Sequence, residues 1–522
     1  MSTPARNRPQ AILTLIAACL VAVLLPTSLT GTSVALPAIG ADLHSGVVGL
    51  QWVINAYNLT FASFLLATGS LSDIIGRRRL FIGGMVLFAV CSVAAGTVSS
   101  TAVLDVVRAL AGIGAAAAVT SGSAAIAHSF EGHALTRAFG LYGTCFGVGI
   151  AFGPMMAGAL TDSLGWRWFF LVQAIVSVVV LAFALAVREG RNPGPVTVDW
   201  AGTFTFTSAL FLLTLGLIEA PQLGWGHPLA VAAFAGFAVL LGVFVAVERG
   251  QQRPMFDLSL FRNRRYLALC LTPVALAFGF VALLVFLPSY FMAVDGMPAR
   301  QAGLVLLLLT APTLVMPSVA AVAAKRLSTR TLLLTCLALV AAGTAWLTVI
   351  QPGQGILGLA GPLLTIGIGF GISNGILDGA AVTSVEPERA GMAAGMFNTM
   401  RITGEVVAIA ALGSLLVSFT RSELASSVSG SGATFGAPTG DLANLTVQGN
   451  LDAAVQQVPR TLQAQFASLA EAAYTAALHH VLWVLAAVCV VAIPVLAVLL
   501  RPARPGAAGV DGAALPETAS AN

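Results

Sequence analysis

Residues 69–79, GSLSDIIGRRR, place three consecutive arginines, one aspartate and two glycines between two long apolar runs. Gly76 suits a tight turn, and the arginines favour the cytoplasmic side of a membrane. The stretch therefore predicts a short charged loop between two membrane-spanning helices. A topology anchor explains the arginines of this loop, but it does not explain the spacing of Gly69, Asp73 and Gly76.

The composition of the chain indicates that its solvent is lipid. Of the 522 residues, 57% are hydrophobic and only 9% are charged, and the mean hydropathy is +0.92. A soluble domain carries about 25% charged residues. The net charge of +4 comes from arginines scattered in short loops, which argues against nucleic-acid binding. The six cysteines lie in apolar runs, where they are expected to be small core residues.

Apolar stretches of roughly twenty residues, the length that crosses a bilayer, recur along the whole chain. In lipid the backbone must satisfy its own hydrogen bonds, so these stretches are predicted to be helices. The sequence thus predicts an all-α polytopic membrane protein with about fourteen transmembrane helices. They are placed near 11–36, 50–71, 80–99, 103–127, 137–160, 166–187, 201–219, 229–248, 266–292, 301–323, 331–350, 357–381, 391–418 and 477–500.

Basic residues predict the orientation of these helices. With residues 1–10 in the cytoplasm, nearly all loop arginines and the single lysine fall on the inner side. This bias predicts that both termini are cytoplasmic. Residues 419–475, rich in Ser, Gly, Ala, Thr and Gln, are then predicted to be a long extracytoplasmic loop. Residues 501–522 are predicted by composition to be a disordered cytoplasmic tail.

The loop at 69–79 resembles the loop signature of the major facilitator superfamily. In that family the loop latches the two halves of the protein together on the cytoplasmic side. The resemblance implies that a carboxylate there meets the positive end of a helix from the other half, while a glycine lets helices approach closely. The residues that match the signature and would form this latch are Gly69, Asp73, Gly76, Arg77 and Arg78.

The resemblance also implies the domain organisation. Residues 11–188 are expected to form an N-terminal six-helix bundle, and residues 266–500 a C-terminal six-helix bundle. Residues 189–265 would contribute two extra central helices with their cytoplasmic connections. A degraded copy of the loop, PSVAAVAAKRLSTR, follows the tenth predicted helix, as expected for a fold built from repeats.

Helix five carries a glycine-rich stretch, GVGIAFGPMMAG, that resembles the antiporter signature of the same family. Proline removes a backbone hydrogen bond and permits a bend, and the glycines make a helix face without side chains. Ordinary helix packing is the alternative explanation. The residues concerned are Gly149, Gly153, Pro154 and Gly158.

Helix four carries LDVVRALAGIGAA, which resembles another signature of the family, with Arg108 as its buried arginine. Further stretches resemble the fourteen-helix drug:proton antiporter branch, among them GWRWFFLVQA and VEPERAGMAAGMFNTMR. The branch usually has an aspartate in helix one, shortly before Val-Ala-Leu-Pro. Here Ser28 stands at that position, so the usual proton site of the branch is missing.

Another carboxylate must then couple transport to an ion gradient. The chain has no phosphate-binding loop, which excludes ATP as the direct source of energy. Glu405 falls near the middle of helix thirteen, with Arg401 one turn earlier, and Asp378 lies late in helix twelve. A structural Arg401–Glu405 pair and a proton- or substrate-binding role for Glu405 remain alternatives. Asn55 and Tyr57 on helix two are further candidates for lining a substrate cavity.

Together these features predict a secondary transporter of the bacterial cell membrane rather than an enzyme. It would export amphipathic drug-like or antibiotic molecules in exchange for protons, by alternating access of the two bundles. Dedicated export of a self-made metabolite, import or uniport of a metabolite, and a non-transporting sensor are the alternatives. The sequence predicts no cofactor, no metal site and no nucleic-acid partner, and a protein that functions as a monomer.

Overall fold

A computed structural model describes residues 8–130, 132–185, 187, 198–251, 256–374, 376–386, 389–431 and 435–501. Within these residues the chain is helical, with short 3-10 turns at Leu258–Arg262, Leu347–Val349 and Arg460–Leu462. The helices are α1 Arg8–Leu43, α2 Val47–Ile75, α3 Arg77–Ala95, α4 Thr101–Ser129, α5 Gly132–Leu164, α6 Trp166–Ala184, α7 Trp200–Leu223, α8 Pro228–Gly250, α9 Arg264–Leu276, α10 Ala282–Ala293, α11 Ala299–Thr310, α12 Pro312–Ala323, α13 Thr329–Trp346, α14 Ile356–Asn374, α15 Leu377–Thr383, α16 Ala390–Ser431, α17 Thr439–Val447, α18 Leu451–Gln456 and α19 Gln463–Leu499.

Thirteen segments of the described residues are long and apolar enough to cross a membrane. Three of them join two helices each: α9 with α10, α11 with α12, and α14 with α15. Helix α2 is 29 residues long but is not among the thirteen, and it carries the polar residues Gln51, Asn55 and Asn58. With α2 the count would be the fourteen that the sequence predicts, and this number stays a prediction.

The helices pack as two groups. Helices α1 to α6 pack mainly on one another, and α13, α14, α16 and α19 pack together with α9. The two groups meet where α5 contacts α11, where α2 contacts α16 and where α1 contacts α10. Helices α7 and α8 form a hairpin, and α7 leans on both α2 and α16. This arrangement fits two bundles with an inserted hairpin, and the exact domain boundaries stay a prediction.

Small residues allow the helices of the first group to approach closely. Gly84 on α3 faces Gly114 on α4, and a Cβ atom on either would lie 2.7 Å from the carbonyl oxygen of the other. Lipid provides no hydrophobic drive for helix association, so close backbone contact supplies the packing energy. Larger side chains at these two positions would push α3 and α4 apart.

The prediction of a long loop at 419–475 is corrected by the structure. Helix α16 continues to Ser431, α17 and α18 follow, and α19 begins at Gln463. Recurring apolar residues let these short helices pack, since Leu442, Val447 and Ala454 are buried. The prediction of a loop rested on the many small and polar residues of the segment and overlooked the spacing of its apolar residues. Its extracytoplasmic position stays a prediction, and residues 502–522, most of the predicted tail, lie outside the described residues.

The two groups are joined by hydrogen bonds at the end that contains the C-terminus of α5. Both carboxylate oxygens of Asp162 accept backbone N–H groups at the start of α11, from Ala299 at 3.1 Å and Arg300 at 2.7 Å. At the same end, the side-chain amide of Asn450 donates to the carbonyl of Pro37 at 3.3 Å. The predicted topology makes this the extracytoplasmic end.

Candidate functional site

The predicted turn between the second and third helices is present at Gly76. Its φ of 109° lies in the region that favours glycine, and its N–H donates to the carbonyl of Ser72 at 3.1 Å. Helix α2 ends one residue before it and α3 begins one residue after it. Any other residue at this position would strain the backbone.

The rest of the predicted latch is only partly described. The side chain of Asp73, on which the latch depends, lies outside the described part of the structure. Arg77 donates to the carbonyl of Ala124 on α4 at 3.4 Å, and Arg78 is half-buried. A Cβ atom built on Gly69 meets no atom within 4 Å, which corrects the expectation of a close helix contact there. The latch as a whole stays a prediction.

The glycines of α5 lie at helix contacts. A Cβ atom on Gly149 would collide with the backbone of Val23 on α1, and one on Gly153 with the hydroxyl of Thr30. Gly158 instead faces the start of α11 in the second group, and the carbonyl of Pro154 packs against Gly303. The hydroxyl of Thr27 donates to the carbonyl of Gly149 at 3.2 Å, which binds α1 to α5. Helix α5 thus packs closely against helices of both groups through its small residues.

Arg108 lies inside the first group, and its side chain is almost fully buried with an exposed fraction of 2%. Its Nε donates to the carbonyl of Val53 at 3.0 Å, and its Nη1 donates to the hydroxyl of Ser28 at 2.9 Å. The guanidinium carbon stands 4.3 Å from the ring centroid of Tyr57 and 5.9 Å from that of Phe170. All of these partners are neutral.

Asn55 and Tyr57, the predicted cavity residues of α2, are both buried in this conformation. The amide nitrogen of Asn55 donates to the carbonyl of Gln51 at 3.0 Å, and its side-chain oxygen has no partner among the described residues. The hydroxyl of Tyr57 is likewise buried without a partner. Their predicted contact with substrate stays untested.

The second group contains the three predicted coupling residues in one place. Arg401 forms an ion pair with Asp378, with 3.7 Å between Nη1 and Oδ1. The ion pair described for Arg401 is thus with another helix, and both alternatives for Glu405, a structural pairing with Arg401 and a binding role, stay predictions. The side chain of Asp378 is 53% exposed and that of Arg401 is 23% exposed.

Glu405, Arg401 and Asp378 line a common cavity of about 10 Å³, which is roughly the room of one water molecule. Helices α9, α14, α15 and α16 form its walls, and Phe370 and Phe397 contribute aromatic surface. Phe146 of α5 reaches Arg401 from the first group, with 5.9 Å between the guanidinium carbon and the ring centroid. The cavity thus brings the carboxylate of Glu405 and the Arg401–Asp378 ion pair next to aromatic rings.

Sequence reasoning missed two features around this cavity. The ninth predicted helix contains a π-helical turn, Ala277–Val281, where Gly279 packs closely against Val340. Phe280 of this turn stacks on Phe370, with ring centroids 3.8 Å apart and planes 3° from parallel. π-Helical turns occur often at functional sites. The sequence offers only the closely spaced Phe278, Gly279 and Phe280 as a sign of the turn.

Comparisons with known proteins agree with this architecture. The family model of the Major Facilitator Superfamily matches residues 18–409. The multidrug resistance protein Stp of Mycobacterium tuberculosis is 32% identical over 420 residues, which cover 80% of this chain and 78% of that protein. The puromycin resistance protein pur8 of Streptomyces alboniger is 32% identical over 406 residues, covering 76% and 80%.

A solved structure has the same fold. It is a bacterial homologue of the human lysosomal transporter Spinster, in an inward-facing and unoccupied conformation. The alignment covers 94% of this chain and 97% of that chain, with a TM-score of 0.62 and 15% sequence identity.

Proposed function

Because the chain belongs to the Major Facilitator Superfamily, we propose that it exports amphipathic drug-like or antibiotic molecules from the cytoplasm by proton antiport. The protein is a multi-pass protein of the bacterial plasma membrane. The observation that carries the proposal is the similarity, over at least three quarters of the chain, to proteins named for multidrug and puromycin resistance. Dedicated export of a self-made metabolite would use the same machinery.

Glu405 is the proposed carrier of the proton. Its side chain lines a cavity inside the membrane-spanning part of α16, and the ion pair of Arg401 is with Asp378. A carboxylate within the bilayer costs at least about 2.5 kcal/mol, which favours a function for it. With both carboxylates ionised, the group of three charges has a net charge of −1, so it attracts a proton or a cationic substrate.

Antiport follows if the proton and the substrate compete for this group. A substrate that enters from the cytoplasm displaces the proton from Glu405, and a new proton displaces the substrate when the site faces outward. A membrane potential of about 100 mV supplies roughly 2.3 kcal/mol per charge, enough for about a fiftyfold gradient of a neutral substrate. One proton per substrate therefore suffices for useful export.

Alternating access would use the contact between the two groups of helices. Asp162 and Asn450 close the predicted extracytoplasmic end, and they must release their partners for the site to open outward. That the protein functions as a monomer stays a prediction from the sequence.

Purified protein in liposomes tests the proposal directly. Puromycin or ethidium is added to vesicles that contain a pH-sensitive dye, with protein-free liposomes as the control. We expect each transported compound to cause proton movement in the opposite direction, and collapse of the proton gradient to stop accumulation. Accumulation that persists without a proton gradient would contradict antiport, and no movement of any compound in a panel of antibiotics and dyes would contradict drug export.

A further inference from the structure

The first group of helices holds a buried positive charge for which the described residues provide no ion pair. Arg108 is 2% exposed, and its described contacts are a carbonyl, a hydroxyl and two aromatic rings. Its Nη2 is buried and has no hydrogen-bond partner among the described residues. A buried, unpaired charge costs several kcal/mol. Some nearby group must therefore offset it.

Asp105 is the carboxylate that can do so. It precedes Arg108 by three residues on α4, which places both side chains on the same face of the helix. Its Oδ1 is buried and accepts no hydrogen bond from the described residues, and no ion pair closer than 4 Å joins it to Arg108. Side chains three residues apart on a helix are neighbours on its surface, so the two charges act on each other.

The surroundings contain few other titratable groups. Tyr57 faces Arg108 from α2, and α3 contributes the buried thiol of Cys91. Helix α1 contributes the hydroxyl of Ser28, and α6 contributes the ring of Phe170. Helix α5 meets α4 at the opposite end, where Ser123 and Tyr142 lie 3.5 Å apart. Of the residues named here, Asp105 is the carboxylate, and it shares a face of α4 with Arg108.

We propose that Asp105 is a second proton-binding residue of the transport cycle, which gains and loses its proton against the fixed charge of Arg108. The proposal rests on the proposed proton antiport and adds a site in the first group of helices. Asp105 lies four residues into α4, about 6 Å along the helix axis from Thr101. The predicted topology puts this end near the extracytoplasmic water from which protons enter.

Protonation of Asp105 changes the charge of the pair from zero to +1. The neutral pair is compatible with the close packing between α1, α2 and α4. The charged pair favours hydration, so it favours a conformation in which water reaches α4. Uptake of a proton at Asp105 would therefore bias the first group towards an open state, which links proton binding to the movement of the helices.

Inverted membrane vesicles that contain the full-length protein test this role. In Asp105→Asn, the accumulation of ethidium or puromycin should fall from about fiftyfold to about onefold, while exchange down a gradient persists. The pH dependence of uptake should be lost as well. Asp105→Glu keeps the carboxylate and should keep part of the accumulation. A purely structural role of the aspartate would instead leave the pH dependence of the remaining uptake unchanged in Asp105→Asn.

Ser28 provides a matched second variant. Because its hydroxyl accepts a hydrogen bond from Arg108 at 2.9 Å, a carboxylate in its place would face the same guanidinium. Ser28→Asp combined with Asp105→Asn should recover the accumulation and the pH dependence that Asp105→Asn lacks. A double variant that reaches the membrane at normal amounts but recovers neither would overturn the proposal.

The wild type and Glu405→Gln are assayed in parallel, so that two failures can be distinguished. Wild-type vesicles that accumulate neither probe nor any other compound of the panel would overturn both the proposed function and this inference. Normal wild-type accumulation together with an unimpaired Asp105→Asn would overturn only the role of Asp105.

Discussion

The two groups of helices each contain an arginine and at least one carboxylate, but they hold these charges in different ways. In the first group, Arg108 is 2% exposed, contacts neutral partners and has Asp105 three residues earlier on the same helix. In the second group, Arg401 is 23% exposed and forms an ion pair with Asp378, beside the cavity that Glu405 lines. The first cluster is buried and closely packed, and the second lies beside a cavity lined by aromatic side chains.

This difference indicates a division of tasks. A buried cluster would respond to protonation through its packing, because a change of net charge among buried groups costs free energy. A cluster beside a cavity can exchange its proton for a substrate directly. Substrate binding and conformational change would then be coupled by two protonation sites in different helix groups. Mutations at one site or the other should affect the two processes separately.

The largest expected effect is that of Glu405→Gln, which removes the titratable group from the cavity but keeps its size. Proton-driven accumulation should be lost completely. The concentration ratio should fall from about fiftyfold to about onefold at a potential of about 100 mV, while substrate binding and downhill exchange remain. Uptake of ethidium into inverted vesicles over a range of pH values measures this. Glu405→Asp is the control and should keep partial activity. Full uphill transport with unchanged pH dependence in Glu405→Gln would contradict the role of Glu405 as the proton carrier of the second cluster.

The sequence predicts the helical membrane fold well, because runs of about twenty apolar residues and the position of arginines leave few alternatives. It also places Gly76 in a turn and Glu405 inside the membrane. It cannot predict that Arg401 pairs with Asp378 rather than Glu405, since that contact depends on how α15 and α16 pack. The sequence does not predict the π-helical turn at Ala277–Val281 for the same reason, because the packing of this turn against Val340 joins distant parts of the chain.

The second expected effect tests whether the first cluster depends on dense packing. Gly153 lies against Thr27 and Thr30 of α1, which flank Ser28, the acceptor of Arg108. Gly153→Leu should push α1 from α5, destabilise the protein by about 1–3 kcal/mol and block turnover. Gly143→Leu on the same helix is the matched control, because a Cβ atom there meets nothing within 4 Å. Thermal unfolding in detergent and ethidium efflux from cells measure both. If both variants unfold at the same temperature and export ethidium equally well, the packing of α5 limits neither stability nor transport.

The smallest expected effect is that of Asp378→Asn, which breaks the ion pair in the second cluster. The carboxylate is 53% exposed, so water replaces much of what Arg401 loses, and such pairs contribute only about 0–1 kcal/mol. A change of that size shifts an equilibrium by at most about fivefold, so the apparent affinity for ethidium should change little and accumulation should persist.

The remaining attraction of Arg401 would then act on Glu405 alone, which should move the pH midpoint of uptake to lower values. Asp257→Asn is a suitable control, because it breaks the ion pair with Arg389 outside the cavity and should leave that midpoint unchanged. If Asp378→Asn instead abolishes accumulation as completely as Glu405→Gln, both carboxylates carry the proton together, and the second cluster is as tightly coupled as the first.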